Sequence, residues 1–141
     1  MIPAERLCYP VLCFARDHSS SVASTPEELQ RCNALAWYRN RYYGDLRVID
    51  AVATPYRVGA VELARPLDGW RRLAARIRNQ ELEVVLQLEQ LGGPSLDAAR
   101  EMATDWIHQA PEFWEAAYEL GDLESRLRDC SDMEALCTLF A

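Results

Sequence analysis

The most regular pattern in the chain is an alternation in which Leu82, Val84, Leu86 and Leu88 are separated by Glu81, Glu83, Val85, Gln87 and Glu89. That is the period of two required of a strand with one buried face, and Gly92-Gly93-Pro94 ends it. Upstream, Asp45–Val52 and Tyr56–Ala64 read as a hairpin turning around Ala53-Thr54-Pro55. In its second strand the apolar phase of Tyr56 and Val58 passes to Val61 and Leu63 across Gly59-Ala60, as a bulge at Gly59 would produce. Pro10–Asp17 is another short apolar run, and Ser21–Ser24 can continue it or pair with it after the polar turn Asp17–Ser20.

Helical periodicity appears early and then dominates the last third. Thr25, Pro26 and Glu28 make a capping box, and the stripe Leu29, Cys32, Leu35, Ala36 predicts a helix over about 26–41, stopping near Gly44. Pro66-Leu67-Asp68-Gly69 breaks the chain ahead of Trp70–Ile77, a short helix or irregular turn. From Ser95, a capping residue, Leu96, Ala99, Ala103, Trp106, Ile107 and Ala110 share one helix face. Pro111 begins another helix, with Phe113, Trp114, Ala117 and Leu120 turned inward and Gly121 at its end. Asp122 and Ser131 are placed to cap two final helices, the second with Glu134 as capping-box partner. This order predicts a single α+β domain over residues 1–141. Its antiparallel sheet has about four to five strands, helices pack on one face, and the C-terminal third is helical.

Composition adds limits rather than identity. Half of the 141 residues are hydrophobic and 26% are charged, the balance of an ordinary globular domain. No apolar run approaches a membrane span. Met1–Cys8 contains Glu5 and Arg6 and has no apolar stretch of signal-peptide type. The expectation is therefore a cytoplasmic protein whose five cysteines stay reduced as small buried hydrophobes. All 15 basic residues are arginine, which with the many alanines suggests a GC-rich coding genome and hints at a bacterial source.

Charge is distributed unevenly. Residues 1–78 carry 12 Arg against 8 acidic residues, a net of +4, and residues 79–141 carry 3 Arg against 14, a net of −11. Such asymmetry bears on partners and steering.

Few residues suggest catalysis. Asp17-His18-Ser19 has the residue types of a hydrolase triad, but three consecutive residues cannot converge as triad members must. No G-x-S-x-G, P-loop, G-x-G-x-x-G or H-E-x-x-H sequence occurs. Asp105 and His108 lie one helical turn apart with Asp97 and Glu101 on the same side, yet only two histidines exist to build a metal site. Cys130 and Cys137 are a heptad apart, a core spacing. No catalytic residue, metal ligand or cofactor is therefore assigned. The segment Trp37–Tyr43 interleaves aromatics with Arg39 and Arg41, and Arg65, Arg71, Arg72, Arg76 and Arg78 follow. Aromatics beside arginines can stack on single-stranded bases, but a net charge of −7 opposes nucleic-acid binding.

Two rows of acids are the most informative feature. Asp97, Glu101 and Asp105 stand at i, i+4, i+8, and Glu112, Glu115 and Glu119 at i, i+3, i+7. Like charges at these spacings cost a helix roughly 0.2–0.5 kcal/mol per pair. The helix dipole favours Asp97, and Arg100 is near enough to relieve Glu101. The rows serve solubility, or else they form a docking face for a basic protein, where complementary potential raises association rate and specificity. Trp106 and Trp114 lie nearby as anchors.

A small acidic chain of this kind, with the rows Asp97/Glu101/Asp105 and Glu112/Glu115/Glu119 beside Trp106 and Trp114, resembles the immunity proteins of bacterial polymorphic toxin systems. The resemblance is one of general type over the whole chain. It implies an inhibitor that covers the active site of a cationic toxin; apart from the resemblance, hydropathy and net charge lead to the expectation of no membrane and no nucleic-acid partner. The alternatives are an enzyme whose site is assembled from scattered Asp, Glu and Arg residues, or a regulatory subunit of a homo-oligomer.

Overall fold

The computed structural model describes residues 1–39 and 41–141. Its strands are β1 (Ile2–Pro3), β2 (Val11–Phe14), β3 (Ser20–Ala23), β4 (Arg31–Asn33), β5 (Arg47–Ile49), β6 (Pro55–Leu63) and β7 (Glu81–Gln90). Every pairing is antiparallel. The sheet runs β1-β7-β6-β5-β2-β3, with β4 paired to β7 as well. The helices are α1 (Pro26–Leu29), α2 (Ala34–Tyr38), α3 (Gly69–Arg78), α4 (Leu96–Gln109), α5 (Pro111–Glu115), α6 (Leu120–Asp129) and α7 (Met133–Phe140). The class is α+β, and the seven strands among the described residues exceed the four or five expected. The surplus consists of short pieces, β1 and β4, too brief to show a period of two.

The strongest sequence signals correspond to the longest elements. In β7, Leu82, Val84, Leu86 and Leu88 are buried while the glutamates between them are exposed. Pairing between β6 and β7 passes from Val58↔Leu88 to Ala60↔Gln87, so Gly59 is the extra residue of a bulge. β2 and β3 pair as a hairpin across Asp17–Ser20, one of the two arrangements open to Ser21–Ser24. Its turn is held by Asp17 Oδ1, which accepts from the Ser19 backbone N–H (3.0 Å) and hydroxyl (2.5 Å).

The helix expected over 26–41 is instead broken in two. Its start is as read: Thr25 Oγ1 accepts from Glu28 N, and Glu28 reaches back to the N–H of Ser24. At Gln30 the chain leaves the helix because β7 needs partners along its free edge. The Gln30 carbonyl accepts from Val84 N (2.9 Å), and Arg31–Asn33 then pair with Glu81–Glu83. Asn33 restarts a helix by accepting from Ala36 N at 2.8 Å. Here tertiary pairing overrides helical spacing. Asn40, part of the expected helix, lies outside the described residues.

Two cores sit on opposite faces of the sheet. Leu12, Phe14 and Ile49 meet α4, α6 and α7 through Ala99, Ala103, Ile107, Leu123, Leu127, Leu136 and Phe140. Val11, Cys13, Val48, Val84, Leu86 and Leu88 face the other way, against Leu29, Tyr43 and Leu46. The expectation of helices on one face holds for α4–α7, but the second face is covered too, by the α1–α2 segment. β2 is therefore buried on both sides, which explains why it reads as a continuous apolar run.

Three further boundaries differ from expectation. α5 ends at Glu115 rather than near Gly121. α6 is capped by Glu119, not Asp122, and α7 by Asp132, not Ser131. At the starts of α6 and α7 a nearby carboxylate is better placed to meet the free N–H groups, Glu119 accepting from Gly121 and Asp122, and Asp132 from Ala135.

Candidate partner-binding surfaces

α4 is built on Ser95, whose hydroxyl accepts from Ala98 N at 3.1 Å. Its small residues Ala99 and Ala103 and its Ile107 lie against the sheet, which leaves Asp97, Glu101 and Asp105 on the outer side, all exposed. Asp97 pairs with Arg100, and the Arg100 guanidinium also donates to the carbonyls of Arg128 and Cys130. Arg100 therefore serves Asp97 rather than Glu101. Glu101 and Asp105 have no ion pair among the described residues. They border a shallow cleft of about 320 Å³ with Arg47, Met102, Trp106 and Gln109.

Trp106 is half-buried, its ring tilted over Phe14 at 5.8 Å between centroids. The neighbouring His108 points elsewhere, to Glu124 on α6 at 2.5 Å, and no cluster able to hold a metal occurs among the described residues.

The second acid row does not form as a row. Glu112 and Glu115 are exposed on α5, but Glu119 lies beyond that helix and its carboxylate is engaged by the N–H groups of Gly121 (3.2 Å) and Asp122 (2.6 Å). Trp114, expected as an anchor, is 4% exposed and packs edge-on to Phe113 and Phe140, so it offers a partner no surface. Phe113, expected inside, is instead 47% exposed. The short α5 turns through too few residues to bury both rings.

Sequence reading missed a second surface. On α3 only Ala75 is buried, and Trp70, Leu73 and Ile77 are 75%, 58% and 75% exposed. These stand at i, i+3 and i+7, one face of a helix. The signal was in the chain as an apolar stripe inside an arginine-rich run, the mark of a helix with one apolar and one basic side.

No protein-family model, curated protein or solved structure matches this chain.

The buried nucleophile types are chemically quiet. Burial pushes the Cys13 thiol up to about 12 and the Cys32 thiol up to about 11, both against an ordinary 9.0. Such thiols stay protonated near neutrality and are poor nucleophiles. Asp50, also buried, is occupied by the N–H groups of Val52 (3.1 Å), Thr54 (3.0 Å) and Cys8 (3.4 Å). Its carboxylate ties the β5–β6 turn to the N-terminal segment.

Proposed function

We propose that this chain is a stoichiometric protein-binding module, an immunity-type inhibitor that covers a basic toxin with the acidic side of α4. The observation that supports this reading best is the grouping of Glu101 and Asp105 with the half-buried Trp106 around one cleft. Unpaired carboxylates attract a cationic partner over a range set by screening, roughly 10 Å at moderate ionic strength. An aromatic ring at the centre of such a patch supplies the water-excluded contact on which affinity depends. Glu112, Glu115 and the exposed Phe113 extend the same chemistry onto α5.

The test is affinity capture from the native organism at low and high salt, followed by quantitative binding to the captured protein. A basic partner released by salt is expected. The double variant E101R/D105R should bind it at least about tenfold more weakly at low salt, mainly through slower association. Unchanged affinity of that variant would overturn the reading.

A further inference from the structure

The groove between α2 and α3 is lined by large apolar side chains left exposed by the rest of the fold. Leu35 (45% exposed), Leu73 and Ile77 line it with Ala34, Tyr38 and Arg76, around a volume of about 380 Å³. Its walls are fixed to one another. The Ala34 N–H donates to the Gln80 carbonyl at 2.8 Å, and the Leu35 N–H donates to Asn79 Oδ1 at 2.9 Å. Asn79 is itself the left-handed cap that ends α3, at φ 49°. Arg76 lies over the Tyr38 ring, 5.7 Å from its centre, so that guanidinium is also held in place. The apolar side chains are thus presented on a pre-ordered frame, which lowers the entropy lost on binding.

The charged side chains at its rim are cationic: Arg39 and Arg76 line the groove, and Arg72 stands one turn before Arg76 on the same side of α3. None of the three makes an ion pair among the described residues. Isolated exposed apolar residues need no explanation, but three large ones gathered in one groove beside unpaired arginines do. Arginine and tryptophan are the residues that most enrich binding surfaces.

We propose that the α2–α3 groove docks an acidic amphipathic helix of a protein partner, its apolar side chains against Leu35, Leu73 and Ile77 and its carboxylates on the arginine rim. Charge complementarity selects the partner, because the unpaired guanidiniums of Arg39, Arg72 and Arg76 favour carboxylates in bidentate contact. Groove shape selects a helix, since the channel between two helices takes side chains spaced at i, i+3/i+4 and i+7. A flat anionic bilayer would not fill the channel. A two-fold contact with a second copy would set the arginines of α3 against their own equivalents. The site is separate from the α4 face, so the two can fail independently.

The probe is a synthetic amphipathic helix with leucines at i, i+3, i+4 and i+7 and glutamates elsewhere, titrated while tryptophan emission is followed. Trp70 is on the same helix face and largely exposed, so a blue shift that is lost in W70F reports docking. Controls are the same peptide with lysine for glutamate, vesicles of equimolar phosphatidylglycerol and phosphatidylcholine, and sedimentation of the protein alone. The expected result is saturable, salt-sensitive binding of the glutamate peptide, weakened at least about tenfold in R72E/R76E and in L73S/I77S, while E101R/D105R binds normally. All substituted side chains are exposed, so the thermal melt should stay in place. No saturable binding of the glutamate peptide, equal binding of the lysine peptide, preference for the vesicles, or self-association lost in L73S/I77S would each overturn the proposal.

Discussion

The side-chain carbonyl of Gln30 accepts the backbone N–H of Leu86 at 3.0 Å, doing for the edge of β7 what a neighbouring strand would otherwise do. The same residue's main-chain carbonyl takes Val84 N, while β4 and β1 pair with residues on either side. Two separate pieces of chain, β1 and the stretch from Gln30 through β4, thus satisfy one strand edge. Gln30→Ala leaves the Leu86 N–H without its partner and should cost about 1–3 kcal/mol. Urea denaturation with an unchanged m-value checks it, and a loss below a few tenths would show that water replaces the amide.

Asn79 combines a left-handed backbone with a side-chain bond to Leu35. Asn79→Gly keeps the backbone and removes the bond, whereas Asn79→Ala removes the bond and adds a strained φ. Ala should therefore be the more destabilising of the two, by about 1 kcal/mol. Comparing the two melts separates cap strain from the α2–α3 tie.

Adjacent aromatics on α5 should behave oppositely. Trp114 is in the core, so Trp114→Ala is expected to cost about 3–5 kcal/mol. Phe113→Ala removes an exposed ring and should stay within about 1 kcal/mol, with its effect on partner affinity instead. Denaturation of both variants, and binding by the second, are the measurements.

Alkaline conditions should weaken the fold before they affect its secondary structure directly. Burial raises Cys13 to about 12 and Cys32 to about 11, above the 9.0 that thiols show in the open chain. Burial likewise raises Tyr42 from 10.0 to about 12. Above pH 9 the unfolded chain loses protons that the native state retains. The contribution of each thiol is complete below pH 9 and fades as pH climbs toward 11 or 12, by up to about 1.4 kcal/mol per pH unit. Stability measured from pH 8 to 11 should fall, and more gently in Cys13→Ala. A slope unchanged by that substitution would remove Cys13 as a cause.

Legibility followed the length and regularity of the signal. β7, the β6 bulge and α4 were readable because eight or more residues repeat one period or break it at a glycine, whereas Trp70–Ile77 read only as a short helix or irregular turn. The break at Gln30 was not, since the reason for it lies more than fifty residues away on β7. α5 failed for a related reason. Spacing put Glu112, Glu115 and Glu119 in one row, but the chain turns after Glu115 and Glu119 becomes a cap. Of the acid rows, Asp97, Glu101 and Asp105 are exposed along α4 as their spacing placed them. The arginine-ringed stripe on α3 was visible as letters, but exposure of its apolar side depends on what the fold leaves uncovered.

The sheet keeps the arginines around α3 apart from the acids of α4, because α3 rests on α2 beside one core and α4 on the other. Charge is thus placed unevenly as well as being negative in sum, at −7. Near a charged body it experiences a torque as well as a pull, and it rotates before it touches. A cationic protein and an anionic one would meet opposite ends of the same molecule, and raising the salt would blunt both orientations together.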